Sequence, residues 1–267
     1  MPKPTHFLAI PVALPTSSRP HLAKSLPALQ QYCKNAGLPQ KALRPLGTLH
    51  LTLGVLYLAG DDEVNRAKDA LRNKLPLDQL FAQAGGVALA GSLGADDADQ
   101  PLVPPSPAAP IHVSLESLSS MHPPASTSVL YANPVDKTAR LQPFAQSVRD
   151  WFVQEQLVAN EVGREKVVLH ATLVNTRYAG RNDGPSRSTV TSSRPSDTIR
   201  STPLTSSGRF DARALLEHFS STAWAPPFRL EELVLCKMGA KMVLDPTSGR
   251  YTGDEEYEVV ARRKLPG

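Results

Sequence analysis

Leu49-His50-Leu51-Thr52-Leu53 decides the reading of this chain, because Leu169-His170-Ala171-Thr172-Leu173 repeats it 120 residues later. Each string runs apolar-His-apolar-Thr-apolar. That alternation belongs to a strand, whose successive side chains point to opposite faces. His50 and Thr52 then share one face, and Leu49, Leu51 and Leu53 enter the layer behind it. The second string behaves in the same way. An imidazole beside a hydroxyl, repeated half a chain apart, is what an internal duplication gives. Two like lobes would bring the strands together about a pseudo-two-fold axis, with both pairs facing one cleft.

Two histidines flanking one phosphate suit phosphodiester cleavage. A base must take the attacking proton, and an acid must protonate the leaving oxygen. Histidine, with an ordinary pKa of about 6.5, does either near neutral pH. Threonine hydroxyls can donate to the non-bridging oxygens, where charge builds in the transition state. A single histidine on a strand is usually structural; two near-identical copies set these apart. A third string, Ile111-His112-Val113-Ser114-Leu115, has the same alternation with Ser for Thr. It makes His112 the alternative to His170.

Outward from these strings, short Val/Leu/Ile-rich strands are expected at 6–12, 49–56, 87–93, 111–115, 129–132, 167–174, 231–237 and 257–261. Helices are expected at 22–36, 63–73, 138–156 and 212–219. The third is the clearest: Leu141, Phe144, Ala145, Val148, Trp151 and Phe152 form one apolar face. Asp61 or Asp62 is expected to cap the second helix, and Asp211 the fourth. Pro27 implies that the first helix starts after it or kinks there. The expected fold is α+β: a two-lobed, duplicated domain over residues 1–267, with mixed or antiparallel sheets lining a central cleft and helices outside.

Two segments lack such patterning. Residues 95–110 hold five prolines and three aspartates and read as a loop. Residues 179–209 hold 13 Ser or Thr, too little apolar surface to offset the entropy of ordering, and a disordered insertion is expected. The interval from Arg177 to Arg209 has six arginines and two aspartates, which equals the chain's whole formal charge of +4. The basic character thus belongs to one segment. Arg177 and Tyr178, directly after the second string, are candidates for substrate binding through a phosphate pair and a base stack.

The remaining composition excludes several classes. Hydrophobic residues are 41% and mean hydropathy is −0.23. No run of 18 apolar residues is present, so no membrane span is expected. The start, broken by Pro11 and Pro15, reads as a strand rather than a signal peptide. Cys33 and Cys236 are too few for a disulfide framework or a four-ligand zinc site, and both are expected to be free in a reducing compartment. Neither a GxxxxGK[ST] loop nor a GxSxG, HExxH or CxxC motif occurs.

The paired His-x-Thr strings resemble those of the 2H phosphoesterases, the LigT or 2′,5′ RNA ligase-like superfamily. Within it the chain is most similar to the branch of the A-kinase-anchoring protein central domain and the activating signal cointegrator complex subunit. The likeness spans THFLAIPV, LHLTLGVLYLAGDDEV, VLYANPVD, VVLHATLVNTRY, RFDARALLEHF and LEELVLCKMG. No GXXG-type loop of a KH module precedes His6. The resemblance implies a two-lobed α+β fold and no metal or other cofactor. It implies His50 and His170 as the acid/base pair, with Thr52 and Thr172 as phosphate-oxygen donors, and it demotes His112. The implied activity is cleavage of RNA ends or short oligonucleotides at a 2′,3′-cyclic phosphate or a 2′,5′ linkage. The alternative is a non-catalytic RNA- or nucleotide-binding subunit of a coactivator or repair complex; ligation by reversal ranks last. A monomer within the cell, in nucleus or cytoplasm, is expected.

Overall fold

The string at 49–53 does form a strand, and it lies at the centre of the molecule. The computed structural model describes residues 3–14, 16–85, 109–159, 165–179 and 204–267. In chain order the elements are β1 (His6–Pro11), α1 (Ser18–Asn35), β2 (His50–Leu56), α2 (Asp61–Asp69), α3 (Leu77–Gln83), β3 (His112–Ser120), β4 (Val129–Val135) and α4 (Leu141–Gln154). There follow β5 (Ala171–Asn175), α5 (Arg213–His218), β6 (Ala223–Arg229), β7 (Glu232–Lys237), β8 (Lys241–Leu244), β9 (Tyr251–Glu256) and β10 (Val259–Lys264).

Eight strands make one sheet in the order β10-β7-β1-β2-β5-β4-β3-β6, and every pairing in it is antiparallel. The sheet is two four-stranded halves joined at β2–β5. That seam is a single residue pair, Leu51↔Ala171. On either side the registers match: Ile10↔Leu51 and Ala9↔Thr52 in one half, Ala132↔Ala171 and Tyr131↔Thr172 in the other. The duplication expected from the two strings is thus present in the strand pairing.

Behind the seam lies the main core. Leu49, Leu51, Leu53, Ala171 and Leu173 are all buried there. The apolar stripe of α4, Leu141, Phe144, Ala145, Val148 and Phe152, is buried against it. Trp151 is half-buried at its margin. Gly54 admits this approach: a Cβ there would lie 2.9 Å from Val158 Cγ2. The Arg149 guanidinium reaches from α4 to the Leu53 carbonyl at 3.4 Å. A smaller cluster of Phe7, Ala9, Val234 and Cys236 is set apart from this core, with Val55 and Tyr257 against it. Both cysteines are free and buried, and burial pushes each thiol up to about 12.

Several expectations need correction. The first helix starts at Ser18 and runs through Pro27 without ending there. Asp61 and Asp62 occupy the first turn of α2, where they complement the helix dipole, and Gly60 is its N-cap. The helix expected at 138–156 begins at Leu141, where Asp136 accepts from the Arg140 and Leu141 amides at 2.7 Å. Asp211 precedes the N-cap Ala212 and accepts from the Arg213 amide at 3.0 Å. The strand expected at 167–174 begins only at Ala171, and that at 257–261 spans Val259–Lys264. β6 escaped the sequence reading because Pro226 and Pro227 interrupt it. It is an edge strand paired only with β3, where missing amides are tolerated. The strand expected at 87–93, residues 95–108 of the proline-rich loop and residues 180–203 of the insertion lie outside the described residues.

Candidate active site

β2 and β5 are antiparallel neighbours at the middle of the sheet. Extending the Leu51↔Ala171 register by one residue each way sets His50 opposite Thr172 and Thr52 opposite His170. All four side chains therefore project from the face opposite the core, and all four are half-buried. His170 precedes β5 by one residue, and His50 is the first residue of β2.

Each imidazole is oriented by the same backbone contact. His50 Nδ1 lies 2.7 Å from the Thr48 carbonyl oxygen, and His170 Nδ1 lies 2.6 Å from the Val168 carbonyl oxygen. A carbonyl only accepts, so each Nδ1 carries the proton and each Nε2 is left as the basic nitrogen. Neither Nε2, nor the hydroxyl of Thr52 or Thr172, has a hydrogen-bond partner among the described residues.

The surroundings of the two rings differ. Phe7 is tilted against His50 at 4.7 Å between ring centroids, and Tyr257 meets it edge-on at 5.5 Å. His170 has Tyr131 edge-on at 5.4 Å. Burial lowers the pKa of His50 to about 4; the Thr48 carbonyl opposes this, and the Arg44 and His170 charges add to it. Burial also lowers that of His170, against the pull of the Val168 carbonyl. In the free protein both rings are neutral at pH 7. A bound phosphate would supply the negative charge that restores a proton to one of them.

The loop carrying the Thr48 carbonyl is held from outside. The hairpin of β8 and β9 lies against the short 3-10 turn Leu46–Thr48. Asp254 accepts from the Gly47 amide at 2.9 Å and pairs with Arg19. A Cβ at Gly47 would lie 2.5 Å from Glu256 Cγ and 2.7 Å from the Glu255 carbonyl oxygen. Arg44, just before this turn, donates from its backbone amide to the Leu173 carbonyl at 2.9 Å. Its guanidinium donates to the Tyr257 hydroxyl at 3.0 Å.

The structure thus brings together His50, Thr52, His170 and Thr172. His112 is exposed on β3, two strands from β5, opposite Arg229. Arg177 is exposed in the 3-10 turn Thr176–Ala179, at the end of β5 away from His170. The side chain of Tyr178 lies outside the described residues. Arg44, Phe7, Tyr131 and Tyr257 were missed by the sequence reading. They gather around the two imidazoles from four separate segments, and no local pattern marks them. A pocket of about 230 Å³ adjoins the second half, lined by Leu169, Asn133 and Asp136 among others, and neither histidine lines it. Among the described residues no group of three or more His, Cys, Asp or Glu is placed to hold a metal, and no helix is long and apolar enough to cross a membrane.

Residues 4–247 match the family model described as the AKAP7 2′5′ RNA ligase-like domain. No curated protein sequence matches the chain. Among solved structures, Escherichia coli LigT complexed with 3′-AMP is similar at 14% identity and a TM-score of 0.45, with 98% of each chain covered. TT0787 of Thermus thermophilus gives the same values. Kluyveromyces marxianus Usb1 is similar at 14% identity and a TM-score of 0.41, with 100% of this chain and 99% of that chain covered.

Proposed function

The chain belongs to the AKAP7 2′5′ RNA ligase-like domain family, and from that premise we propose that it is a phosphodiesterase acting on RNA ends or short oligonucleotides, with His50, Thr52, His170 and Thr172 as its catalytic residues. The observation that carries this reading is the matched pair of hydrogen bonds from His50 and His170 Nδ1 to the carbonyls two residues earlier, which leaves both Nε2 atoms on one sheet face.

The substrate is a 2′,3′-cyclic phosphate or a 2′,5′ linkage. Its phosphorus sits over the seam between the two rings. One Nε2 takes the proton of the attacking water as the oxygen–phosphorus bond forms. The other, protonated on phosphate binding, gives its proton to the departing sugar oxygen as that bond breaks. Water adds across the phosphodiester, and each histidine ends in the other's starting state. Two proton carriers on opposite sides of one phosphorus suit an in-line displacement. The Thr52 and Thr172 hydroxyls donate to the non-bridging oxygens. In this reading proton transfer and the hydroxyls suffice, and the reaction proceeds without a metal.

The test is turnover in EDTA of 2′,3′-cyclic nucleotides, of 2′,5′- and 3′,5′-linked oligoadenylates and of a short RNA with a cyclic end. Wild type runs beside His50→Ala/His170→Ala. Cleavage that survives EDTA and is lost in the double variant supports the proposal and names the bond. No cleavage across the panel, with tight nucleotide binding retained, overturns it in favour of a binding module.

A further inference from the structure

We propose that Arg177, Arg209 and His122 form a phosphate-binding site at the far end of β5, which holds the backbone of a single-stranded RNA whose reacting end lies between the two histidines. The inference rests on the phosphodiesterase reading for its direction. It adds a substrate class: an extended oligonucleotide rather than a mononucleotide.

The three residues come from separate segments gathered around residues 126–129. On one side, Thr176 donates its amide to the Ser128 carbonyl at 3.0 Å, which places Arg177 one residue further on. On the other, Thr127 and Phe210 exchange both backbone hydrogen bonds, at 2.8 and 2.9 Å, which places Arg209 one residue before. The Thr176 hydroxyl donates to the Gly208 carbonyl and ties the two sides together. Arg209 Nη1 donates to the Ser126 carbonyl at 2.8 Å, so its guanidinium lies over the same segment. His122 completes the group, with Nδ1 3.4 Å from the Thr127 hydroxyl. Burial lowers the His122 pKa, and the Arg209 and Arg177 charges lower it further, as mutual proximity requires.

Among the described residues no carboxylate compensates the charge: neither Arg177 nor Arg209 has such a partner there. The acid nearest in sequence, Asp211, is engaged by Arg213 at 2.6 Å. Two guanidinium forks beside an imidazole suit a phosphodiester, which accepts from Arg in bidentate fashion.

The site lies on a path from the catalytic cleft. β5 and the 3-10 turn after it lead from His170 to Arg177, about 20 Å at ~3.3 Å per strand residue. A stacked strand rising ~3.4 Å per nucleotide spans that in roughly six nucleotides. The loop before β2 flanks the middle of the path. Leu43 bridges to Val174, and the Arg44 backbone amide donates to the Leu173 carbonyl, while the Arg44 guanidinium donates to the Tyr257 hydroxyl beside His50. A mononucleotide held by the histidines would reach none of the far residues, whereas an oligonucleotide reaches all of them.

The test measures equilibrium binding, by fluorescence anisotropy, of a labelled 3′,5′-linked oligoadenylate dodecamer and of the corresponding dimer. The full chain is compared with Arg177→Gln/Arg209→Gln across a salt series. Wild type should hold the dodecamer at least about tenfold more tightly than the dimer at low salt. The double variant should lose most of that ratio, with its log–log salt slope shallower by about 1.4, two phosphate contacts at ~0.7 each on a single strand. Arg177→Lys/Arg209→Lys should restore the slope, because it keeps the charge. An unchanged ratio and slope in the Gln variant, or no length dependence in wild type, would overturn the inference. So would an acidic polyglutamate peptide that needs these arginines while RNA does not. Binding is read without turnover, so an inactive protein in the EDTA panel sinks the phosphodiesterase reading and leaves this result to stand or fall separately.

Discussion

His50 and His170 make the same hydrogen bond. Each donates Nδ1–H to the carbonyl oxygen two residues earlier in the chain, that of Thr48 at 2.7 Å and that of Val168 at 2.6 Å. The contact fixes the tautomer without a carboxylate. It makes both Nε2 atoms bases on the same face of the sheet.

Removing either ring should therefore abolish a proton transfer without unfolding the protein. His50→Ala and His170→Ala are each expected to lower kcat by about 10²–10⁴. Melting temperature and nucleotide affinity should stay close to wild type. Single-turnover assays beside calorimetric titration check this, and a variant with near-normal kcat would remove that histidine from the reaction.

The hydroxyls should act on the transition state more than on binding. Thr52→Val and Thr172→Val keep the β-branched shape on the strand and remove a donor that makes no hydrogen bond among the described residues. Each is expected to reduce kcat by about 10²-fold, on the scale of losing one oxyanion donor. KM should change by less than about threefold if the ground state gains little from them. A rise in KM at constant kcat would assign the hydroxyls to ground-state binding instead.

The acidity of the two rings fixes the direction of the pH dependence. In the proposed reaction the free enzyme needs one neutral and one protonated histidine, and both pKa values lie below the ordinary 6.5, that of His50 at about 4. The optimum of kcat/KM is thus expected between about 4 and 6.5. That of kcat should lie higher, because the bound phosphate favours the imidazolium. An optimum of kcat/KM above pH 7 would contradict this environment for the rings.

The same shift makes stability depend on pH. His50 is neutral when folded and takes a proton near 6.5 when unfolded, so its contribution is complete above about pH 6.5 and is lost as pH falls toward about 4. At 1.36 kcal/mol per pKa unit the loss is at most about 3 kcal/mol. His50→Gln should flatten urea-derived stability between pH 7 and 4, and an equally steep variant would place the acid sensitivity elsewhere.

The clamp outside the site gives a further test. Asp254→Asn weakens the bond to the Gly47 amide and the pair with Arg19. Gly47→Ala forces a methyl group into the Glu255 and Glu256 contact. Each should cost about 1–3 kcal/mol of stability. Each should also lower kcat more than it raises KM, because the loop carrying the Thr48 carbonyl shifts. Full activity in a destabilised Gly47→Ala protein would show that the hairpin braces the fold and not His50.

Much of this was legible because strand alternation is a local property. His50, Thr52, His170 and Thr172 could be placed on one face from the two strings alone, and the α4 stripe from its helical spacing. What was illegible is non-local. Tyr257 lies in the bend before β10 and reaches His50 across more than 200 residues of chain, held by Arg44 from another loop. β6 is hidden by the prolines that its edge position tolerates, and α3 is only seven residues long. His112 shows why the string alone was insufficient. It has the same alternation, but its strand pairs with β4 and β6, so it never meets β2.

The unequal rings around two equal histidines have a consequence for the sense of the reaction. Backbone, tautomer and register treat the two imidazoles alike, so the proposed catalytic pair by itself would serve either order of proton donor and acceptor. Phe7 and Tyr257 crowd His50, whereas Tyr131 attends His170. In the proposed reaction the difference between the two histidines that could select the departing ester oxygen lies in these aromatic walls, and exchanging them between the halves is expected to turn the bond specificity around.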